Sequence, residues 1–259
     1  MPKFLVLYKW TLNEQDIKIR PDDLSLDASR AKGKISDFDR NAIEEAAQIV
    51  EAQGGSVDVL TYGAESLKSS LKDVLSRGAD KAYWIADASA ETADATVTAK
   101  VLAAAIRKIG PYDIILTGEG SSDQFNQQTA PRLAALLGLP CLTLIHKLDV
   151  DGETVSVTRK LTDCTEQVTV NGPVVISVLS DINKPRIPGL KQVLGAAKKP
   201  NEEIALDSLG LSPADLQPKA VRRSVKGFVM TRKNVVFKDA DPADAVGKLV
   251  TSLVSEGLI

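Results

Sequence analysis

Apolar runs alternate with helical patterns through the first half of the chain. Four short runs rich in Val, Ile and Leu predict buried strands, at residues 4–8, 57–61, 81–86 and 113–116. Four segments with apolar positions three or four residues apart predict helices, at residues 39–52, 65–77, 91–109 and 126–138. This order predicts an α/β fold with a doubly wound, mostly parallel sheet and helices on both faces. Such sheets bind ligands beyond the carboxyl ends of their strands.

The second half changes character. Three successive strands are predicted, at residues 155–159, 166–170 and 174–179, with turns at Asp151-Gly152 and Asn171-Gly172-Pro173. A short helix is predicted at residues 190–197 and a last helix at residues 242–256, capped by Asp241. Little periodic pattern lies between them. We expect residues 1–200 to form the α/β domain. We expect residues 201–259 to form an extended arm and terminal helix that pack on another subunit, or else a flexible tail.

Composition and charge narrow the class of protein. The chain has 259 residues, of which 44% are apolar and 25% charged, and its net charge is -2. That charge gives no reason to expect binding to nucleic acid or to an acidic membrane. No apolar run is long enough for a membrane span, and the N-terminal run is too short for a signal peptide. With Cys141 and Cys164 far apart in sequence, we expect a reduced, cytoplasmic protein.

The inventory of reactive side chains is poor. His146 is the only histidine, and it lies in a strand-like run beside Leu144 and Ile145. A histidine in such a position is most often structural. We therefore expect no catalytic nucleophile and no metal site.

One segment indicates ligand binding. The loop and helix "TGEGSSDQFNQQTAPRLAALLGLP" from Thr117 to Pro140 follow a predicted strand with a run of small and polar residues. A helix start presents free backbone N–H groups and a positive dipole end, which stabilise phosphate. The other interpretation is a tight strand-to-helix turn. Asp123 could cap the helix or order the loop, and Asn126 is the alternative cap. The loop fits neither the dinucleotide fingerprint nor the P-loop.

Several stretches together resemble the β (small) subunit of an electron transfer flavoprotein, nearest to its FixA-type branch. They are "FLVLYKW" at the first strand, "ISDFDRNAIEEAAQIVEAQGG" at the first helix, the 118–140 loop and helix, and "DINKPRIPGLKQVLGAAKKP" at residues 181–200. The resemblance covers essentially the whole chain. Departures lie at Ser36-Asp37-Phe38, where the family has Asn-Pro-Phe, at residues 123–126, where it has Asp-Gly-Asp-Thr, and at Lys160 and residues 162–164.

The resemblance implies an adenine-nucleotide-hydrolase-like fold and an electron-carrier subunit rather than a stand-alone catalyst. Such a subunit pairs with an α subunit that carries FAD, and it buries AMP or, in electron-bifurcating members, a second FAD. The heterodimer shuttles electrons between an acyl-CoA dehydrogenase-type flavoenzyme and other redox carriers. The segment at residues 183–200 is implied to recognise that partner through Leu190.

The residues that the resemblance places in the nucleotide pocket come from four segments. They are Leu7, Ser36, Asp37, Phe38, Asp39, Tyr62, Gly118, Glu119, Gly120, Ser121, Ser122, Asp123, Gln124, Phe125, Asn126, Gln127, Gln128 and Thr129. Leu7 and Tyr62 are implied to line the adenine. The loop amides and the start of the 126–138 helix are implied to hold the phosphate.

Two other functions are compatible with an α/β nucleotide fold. An ATP-pyrophosphate-splitting ligase needs a Ser-Gly-Gly-x-Asp-Ser loop after the first strand, and "LYKWTLNEQD" lacks those glycines. An AMP-sensing domain explains the 118–129 loop. It does not explain the extra strands, the 183–200 segment or the arm.

Overall fold

The computed structural model describes residues 1–230, 232–238 and 241–259. Within these residues the strands are β1 (Lys3–Leu7), β2 (Trp10–Leu12), β3 (Lys18–Ile19), β4 (Leu26–Asp27), β5 (Gly33–Ile35), β6 (Ser56–Gly63), β7 (Lys81–Ala86), β8 (Ile114–Gly118), β9 (Cys141–Asp151), β10 (Thr154–Lys160), β11 (Thr165–Asn171), β12 (Val174–Val178) and β13 (Asn201–Glu203). The α-helices are α1 (Asp37–Gln53), α2 (Leu71–Ser76), α3 (Ala95–Ile109), α4 (Thr129–Leu137), α5 (Leu190–Ala196) and α6 (Pro242–Ser255).

Nine of these strands form one central sheet. Its order is β11-β10-β9-β12-β8-β1-β6-β7-β13. Every neighbouring pair from β9 to β13 in that order is parallel, whereas β10 pairs antiparallel with both β9 and β11. The predicted α/β fold with a mostly parallel sheet and additional strands is therefore confirmed.

Helices cover both faces of the sheet. On one face, α1 and α2 place Ile43 and Val74 in a cluster with Val6 and Val59 of the sheet. On the other face, α3 and α4 join a second cluster, in which Leu133 is fully buried. Alternate strand residues thus enter opposite layers, as expected for a sheet buried on both sides.

Two strands of the sheet were not among the predicted strands, although residues 144–146 of the first had been described as a strand-like run. β9 follows Pro140 and contains Leu144, whose φ of +61° interrupts the regular strand, and the register shifts beside it. β13 has the sequence Asn-Glu-Glu and is held at the sheet edge by pairing with β7. A polar, exposed edge strand carries no apolar pattern, so only its tertiary pairing reveals it.

Residues 10–35 form a small insertion that the apolar pattern did not show. β2 pairs with β5 and β3 pairs with β4, both antiparallel. The ring of Trp10 lies where a Cβ on Gly33 would be, at 2.2 Å from its atoms. This close approach requires glycine at position 33 and seals the base of the insertion.

Three predicted helices begin later than expected. The segment Glu65–Ser70 is a 3₁₀ helix that precedes α2. α3 begins at Ala95 because the side chain of Asp94 accepts hydrogen bonds from the N–H groups of Thr96 and Val97, at 2.9 Å each. α4 begins at Thr129 rather than at residue 126.

The C-terminal part differs from the rest of the chain. We call residues 1–216 the body and residues 217–259 the arm. None of the arm residues that the structure describes is buried. α6 begins after Asp241, whose side chain accepts a hydrogen bond from Ala243 N at 3.0 Å, as predicted for the cap. In the described residues no helix is both long and apolar enough to span a bilayer.

Among the described residues, few hydrogen bonds join the arm to the body. The N–H groups of Lys219 and Ala220 donate to Asp94 Oδ2 at 2.7 and 3.1 Å. Gly227 N donates to Leu24 O at 2.7 Å. These backbone contacts fix where the arm starts but leave its apolar side chains uncovered.

Candidate functional site

A cleft of about 240 Å³ opens at the carboxyl ends of the parallel strands β1, β6 and β8. Its floor is formed by strand-end residues Leu7, Tyr8, Lys9, Trp10, Leu60, Tyr62, Gly63, Thr117 and Gly118. This is the edge at which open α/β sheets bind ligands. The observed cleft therefore lies where the strand order predicts a site.

The far wall of the cleft consists mainly of small residues. It is formed by Ala64, Ala90, Glu91, Ala93, Ala95, Thr98 and Leu102. Sequence reasoning missed this wall, because alanines on a turn and a helix start carry no chemical signal. Only the order of elements indicated this wall, because the segment between β7 and α3 must pass the carboxyl edge of the sheet. Small side chains leave room for a flat group beside Leu7 and Tyr62.

Tyr62 is held in a fixed position at this wall. Its ring is 8% exposed, and its hydroxyl lies 2.8 Å from Ser89 Oγ. Burial raises the pKa of the Tyr62 phenol, so the group remains neutral. A neutral aromatic ring with its hydroxyl already bonded offers an apolar face to a ligand.

Asp39 joins the ends of two strands to the start of α1. Its Oδ2 accepts a hydrogen bond from Lys9 N at 2.8 Å, and its Oδ1 accepts one from Gly118 N at 3.1 Å. The residue is 6% exposed, and burial raises the pKa of its carboxyl to about 7. Asp39 thus sets the spacing of β1 and β8 at the cleft floor.

Gly118 is required by the close approach of α1 to β8. A Cβ at this position would lie 2.6 Å from Phe38 Cβ and 2.8 Å from the Phe38 carbonyl carbon. Backbone cannot move away as a flexible side chain can. The residues Phe38 and Gly118, far apart in sequence, therefore meet only if position 118 has no side chain.

Ser122 joins the 118–129 loop to the start of α1 by hydrogen bonds. Ser122 Oγ accepts a hydrogen bond from Asp37 N at 3.0 Å, and Ser122 N donates to Ser36 Oγ at 3.3 Å. Ser36 is fully buried. These residues, which the sequence predicts to be in the pocket, instead fix the back of the loop.

Two further contacts hold the tip of the loop. Lys9 Nζ donates to Asp123 Oδ2 at 2.6 Å, and the rings of Phe38 and Phe125 lie 5.2 Å apart. Burial opposes ionisation of Asp123, but the Lys9 ammonium outweighs it and lowers the pKa of that carboxyl. Asp123 is therefore an ionised partner of Lys9. Of the two roles expected for it, it orders the loop and does not cap α4.

The loop backbone is strained just before α4. Phe125 and Gln127 have φ angles of +45° and +54°, which non-glycine residues rarely adopt. Gln128 occupies the N-cap position and makes no side-chain cap bond. Asn126 donates to Gln124 Oε1 at 3.2 Å instead of capping the helix. The helix start is thus displaced to Thr129, and its first N–H groups are not covered by a side chain.

Several loop amides are available to a ligand. Gly120, Ser121, Gln127 and Thr129 line the cleft. In the described part of the chain their backbone N–H groups find no hydrogen-bond acceptor. Glu119 N, in contrast, donates to Val178 O at 3.0 Å. Free amides at a helix start suit an anionic group, and the apolar wall at Leu7 and Tyr62 suits a flat ring.

The residues expected in the pocket fall into two groups. Eleven line the cleft: Leu7, Asp39, Tyr62, Gly118, Glu119, Gly120, Ser121, Gln124, Asn126, Gln127 and Thr129. Seven lie outside its lining: Ser36, Asp37, Phe38, Ser122, Asp123, Phe125 and Gln128. Leu190 lies elsewhere, at the start of α5, and its side chain is 75% exposed. Among the described residues no group of three or more His, Cys, Asp or Glu could hold a metal ion.

A doubly wound sheet with a loop-walled cleft at its carboxyl edge defines an α/β domain of the ligand-binding type. Residues 23–209 match the family model described as the electron transfer flavoprotein domain. The chain therefore belongs to the electron transfer flavoprotein family. The matched residues include α1, the 118–129 loop and Leu190.

Proposed function

We propose that this chain is the β subunit of a heterodimeric electron transfer flavoprotein. In this role it binds AMP or a second FAD, and it pairs with an α subunit that carries the other FAD. The observation that carries the proposal is the cleft, because an apolar wall faces a row of free backbone amides there. That pairing of surfaces suits an adenine nucleotide, which has a flat ring at one end and an anion at the other.

Different residues of the cleft bind the two ends of the nucleotide. Leu7 and Tyr62 contact the adenine ring, and the amides of Gly120, Ser121 and Thr129 hold the phosphate. A flavin, when bound, supplies the electron-transfer chemistry. The chain positions the nucleotide, excludes water from it and surrounds it with fixed dipoles. Asp39 maintains the floor of the cleft through its bonds to Lys9 N and Gly118 N.

The arm packs on the α subunit in this proposal. Its apolar side chains are exposed, including Phe228 at 77%, Met230 at 61% and Val236 at 63%. Single exposed apolar residues are common on proteins, but a run of them on a poorly anchored segment marks an interaction surface. The helix α6, which lies in the arm, likewise has no buried residue.

The 183–200 segment contacts an acyl-CoA dehydrogenase-type flavoenzyme in this proposal. Leu190 projects from the start of α5 and is 75% exposed. A large apolar side chain of this kind acts as an anchor when a partner offers an apolar pocket. The cleft and Leu190 lie at different places on the chain, so nucleotide binding and partner binding can be tested separately.

The test of the proposal is the nucleotide content of the heterodimer. The chain is co-expressed with an electron transfer flavoprotein α subunit, purified, and denatured to release its nucleotides for chromatography. One FAD and one AMP per heterodimer indicate simple electron carriage, and two FAD indicate a bifurcating type. A heterodimer that releases only the FAD of the α subunit contradicts the assignment of the cleft. A stable monomer that binds AMP without an α subunit favours an AMP-sensing domain.

A matched pair of variants locates the nucleotide. Ser121→Asp places a carboxylate in the cleft beside the free amides, and we expect the second nucleotide to bind at least about tenfold more weakly, a loss of roughly 1.4 kcal/mol. Thr162→Asp introduces the same charge at an exposed position outside the cleft lining. It should leave the nucleotide content unchanged. Equal effects of the two substitutions would place the nucleotide elsewhere.

A further inference from the structure

The 183–200 segment is tied to the body at both ends. At its start, Asn183 Nδ2 donates to Asn41 O at 3.0 Å and to Glu45 Oε2 at 2.8 Å. At its end, Lys199 Nζ donates to the carbonyl oxygens of Leu75 and Ala79 at 3.0 and 2.7 Å. The part between these ends is the exposed part.

The middle of the segment presents three apolar side chains to solvent. Ile187, Leu190 and Leu194 are 94%, 75% and 62% exposed, and we call them the apolar triad. Leu190 and Leu194 are one helical turn apart on α5 and share a face. Ala196 is 1% exposed and anchors the opposite face of the helix. A helix of seven residues is not stable by itself, so its position depends on contacts around it.

Arg186, the residue before Ile187 of the triad, makes several hydrogen bonds to the body. Its Nε donates to Glu44 Oε1 at 2.6 Å, and its backbone N donates to Glu44 Oε2 at 3.2 Å. Its Nη1 and Nη2 donate to the two carboxylate oxygens of Glu51 at 2.8 and 3.0 Å. Arg77 Nη1 donates to Arg186 O at 3.4 Å. The backbone and the side chain of Arg186 are thereby held by α1 and by Arg77, the residue that follows α2.

Because Glu44 is buried, it needs a charged hydrogen-bond partner at this position. Glu44 is 4% exposed, and a buried carboxylate requires a partner. Arg186 supplies a planar, two-sided fork that a lysine cannot reproduce. Pro185 and Pro188 flank it and restrict the backbone on either side. The segment therefore has little freedom to leave α1.

We propose that Arg186 is a positioning residue that preorganises the apolar triad for a partner protein. This inference rests on the proposed function for the identity of the partner, but not for the positioning itself. A preformed segment avoids the entropy loss of ordering upon binding. Arg186 remains half-exposed and bound to Glu44 and Glu51, so it acts through the triad rather than by entering the partner's pocket.

The first test is hydrogen–deuterium exchange of the full chain, in complex with its α subunit. In Arg186→Gln we expect exchange of residues 187–196 to accelerate at least about tenfold, while peptides from the 118–129 loop are unchanged. Arg159→Gln is the control, because Arg159 likewise donates to a carboxylate, Glu166, at 3.0 Å, and to a carbonyl, Thr143 O, at 3.1 Å. Unchanged exchange of residues 187–196 in Arg186→Gln overturns the proposal.

A second variant separates positioning from general stability. Arg186→Gln leaves the buried Glu44 carboxylate without its arginine, and the double variant Arg186→Gln with Glu44→Gln removes that unpaired charge. We expect the double variant to recover the unfolding temperature but to keep the fast exchange of residues 187–196. If the exchange also returns to the wild-type rate, Arg186 serves stability alone and the proposal is wrong.

The functional readout is the steady-state reduction of the heterodimer by a purified acyl-CoA dehydrogenase and its acyl-CoA. Arg186→Gln should raise KM for the heterodimer about tenfold with kcat unchanged, and Arg186→Lys should give an intermediate value. A fall in kcat with KM unchanged contradicts the positioning role. If the wild-type heterodimer is not reduced either, the partner assignment in the proposed function fails, and the exchange experiment still decides the role of Arg186.

Discussion

The body and the arm use apolar residues in opposite ways. In the body, residues such as Leu133 and Ile43 are fully buried in the two layers that cover the sheet. In the arm, Leu249 is 46% and Val246 is 59% exposed, although α6 is capped and regular. Secondary structure therefore forms in both regions, but only the body provides the second surface that buries it. Among the described residues of the arm none is buried, and this exposure is the reason for proposing that the arm packs on an α subunit.

The largest expected contrast comes from removing one leucine in each region. Leu133→Ala in α4 deletes a fully buried side chain and should lower the free energy of unfolding by about 2–5 kcal/mol. Leu249→Ala in α6 should change it by less than about 0.5 kcal/mol. Urea denaturation of the isolated chain measures both. A similar loss for the two variants would mean that the arm has a core of its own.

A glycine pair sharpens the same comparison. Gly118→Ala pushes a methyl group against the backbone of Phe38, so we expect a loss of about 1–3 kcal/mol. At Gly247 in α6, no atom of the described residues lies within 4 Å of the added methyl group, the backbone of the helix itself apart. There alanine favours the helix, and stability should rise by up to about 1 kcal/mol. Thermal unfolding followed by circular dichroism tests both, and a loss at Gly247 would reveal an uncounted contact of α6.

The third prediction concerns a buried carboxyl group of the body. Burial raises the pKa of Asp39 from 3.8 to about 7. Between these values the folded chain binds a proton that the unfolded chain has released. Stability therefore falls as the pH rises from about 4 to about 7, with a slope of up to roughly 1.4 kcal/mol per unit. Denaturation at several pH values should show this slope in the wild type and its loss in Asp39→Asn.

Asp215 provides the control for that experiment. A hydrogen bond from Lys100 is the largest of the effects that lower the pKa of its exposed carboxyl to about 2. Asp215→Asn should therefore leave the slope between pH 5 and 7 unchanged. If the wild-type slope persists in Asp39→Asn, the titrating group is not Asp39.

Periodicity was sufficient for the alternating part of the fold. β1, β7 and β8 contain apolar runs, and β6 contains one that Asp58 and Thr61 interrupt; such runs are typical of strands buried on both faces. The position of β9 was not predictable in the same way. Leu144 adopts a positive φ there, and this conformation depends on pairing with β10 and β12 rather than on local preference.

The candidate site was predictable at its loop but not at its wall. Glycines and polar residues after β8 indicate a ligand loop, and eleven of the expected residues line the cleft. The start of α4 was misplaced because apolar spacing cannot reveal the positive φ of Phe125 and Gln127. Ser36 was expected in the pocket from the resemblance alone. Ser122 was expected there also for its hydroxyl group, which can bind a ligand or anchor a loop equally well. Only the three-dimensional contacts distinguish these two roles.

The place of β12 in the sheet has a consequence for synthesis of the chain. β12 lies between β8 and β9, although the β10–β11 hairpin separates it from both in sequence. Before the ribosome has synthesised β12, one edge of β8 has no pairing strand. Glu119 N then also lacks its acceptor, Val178 O. The 118–129 loop therefore gains this contact only after β12 has been synthesised. Until then, the exposed strand edge is a target for chaperones and for mispairing between neighbouring chains.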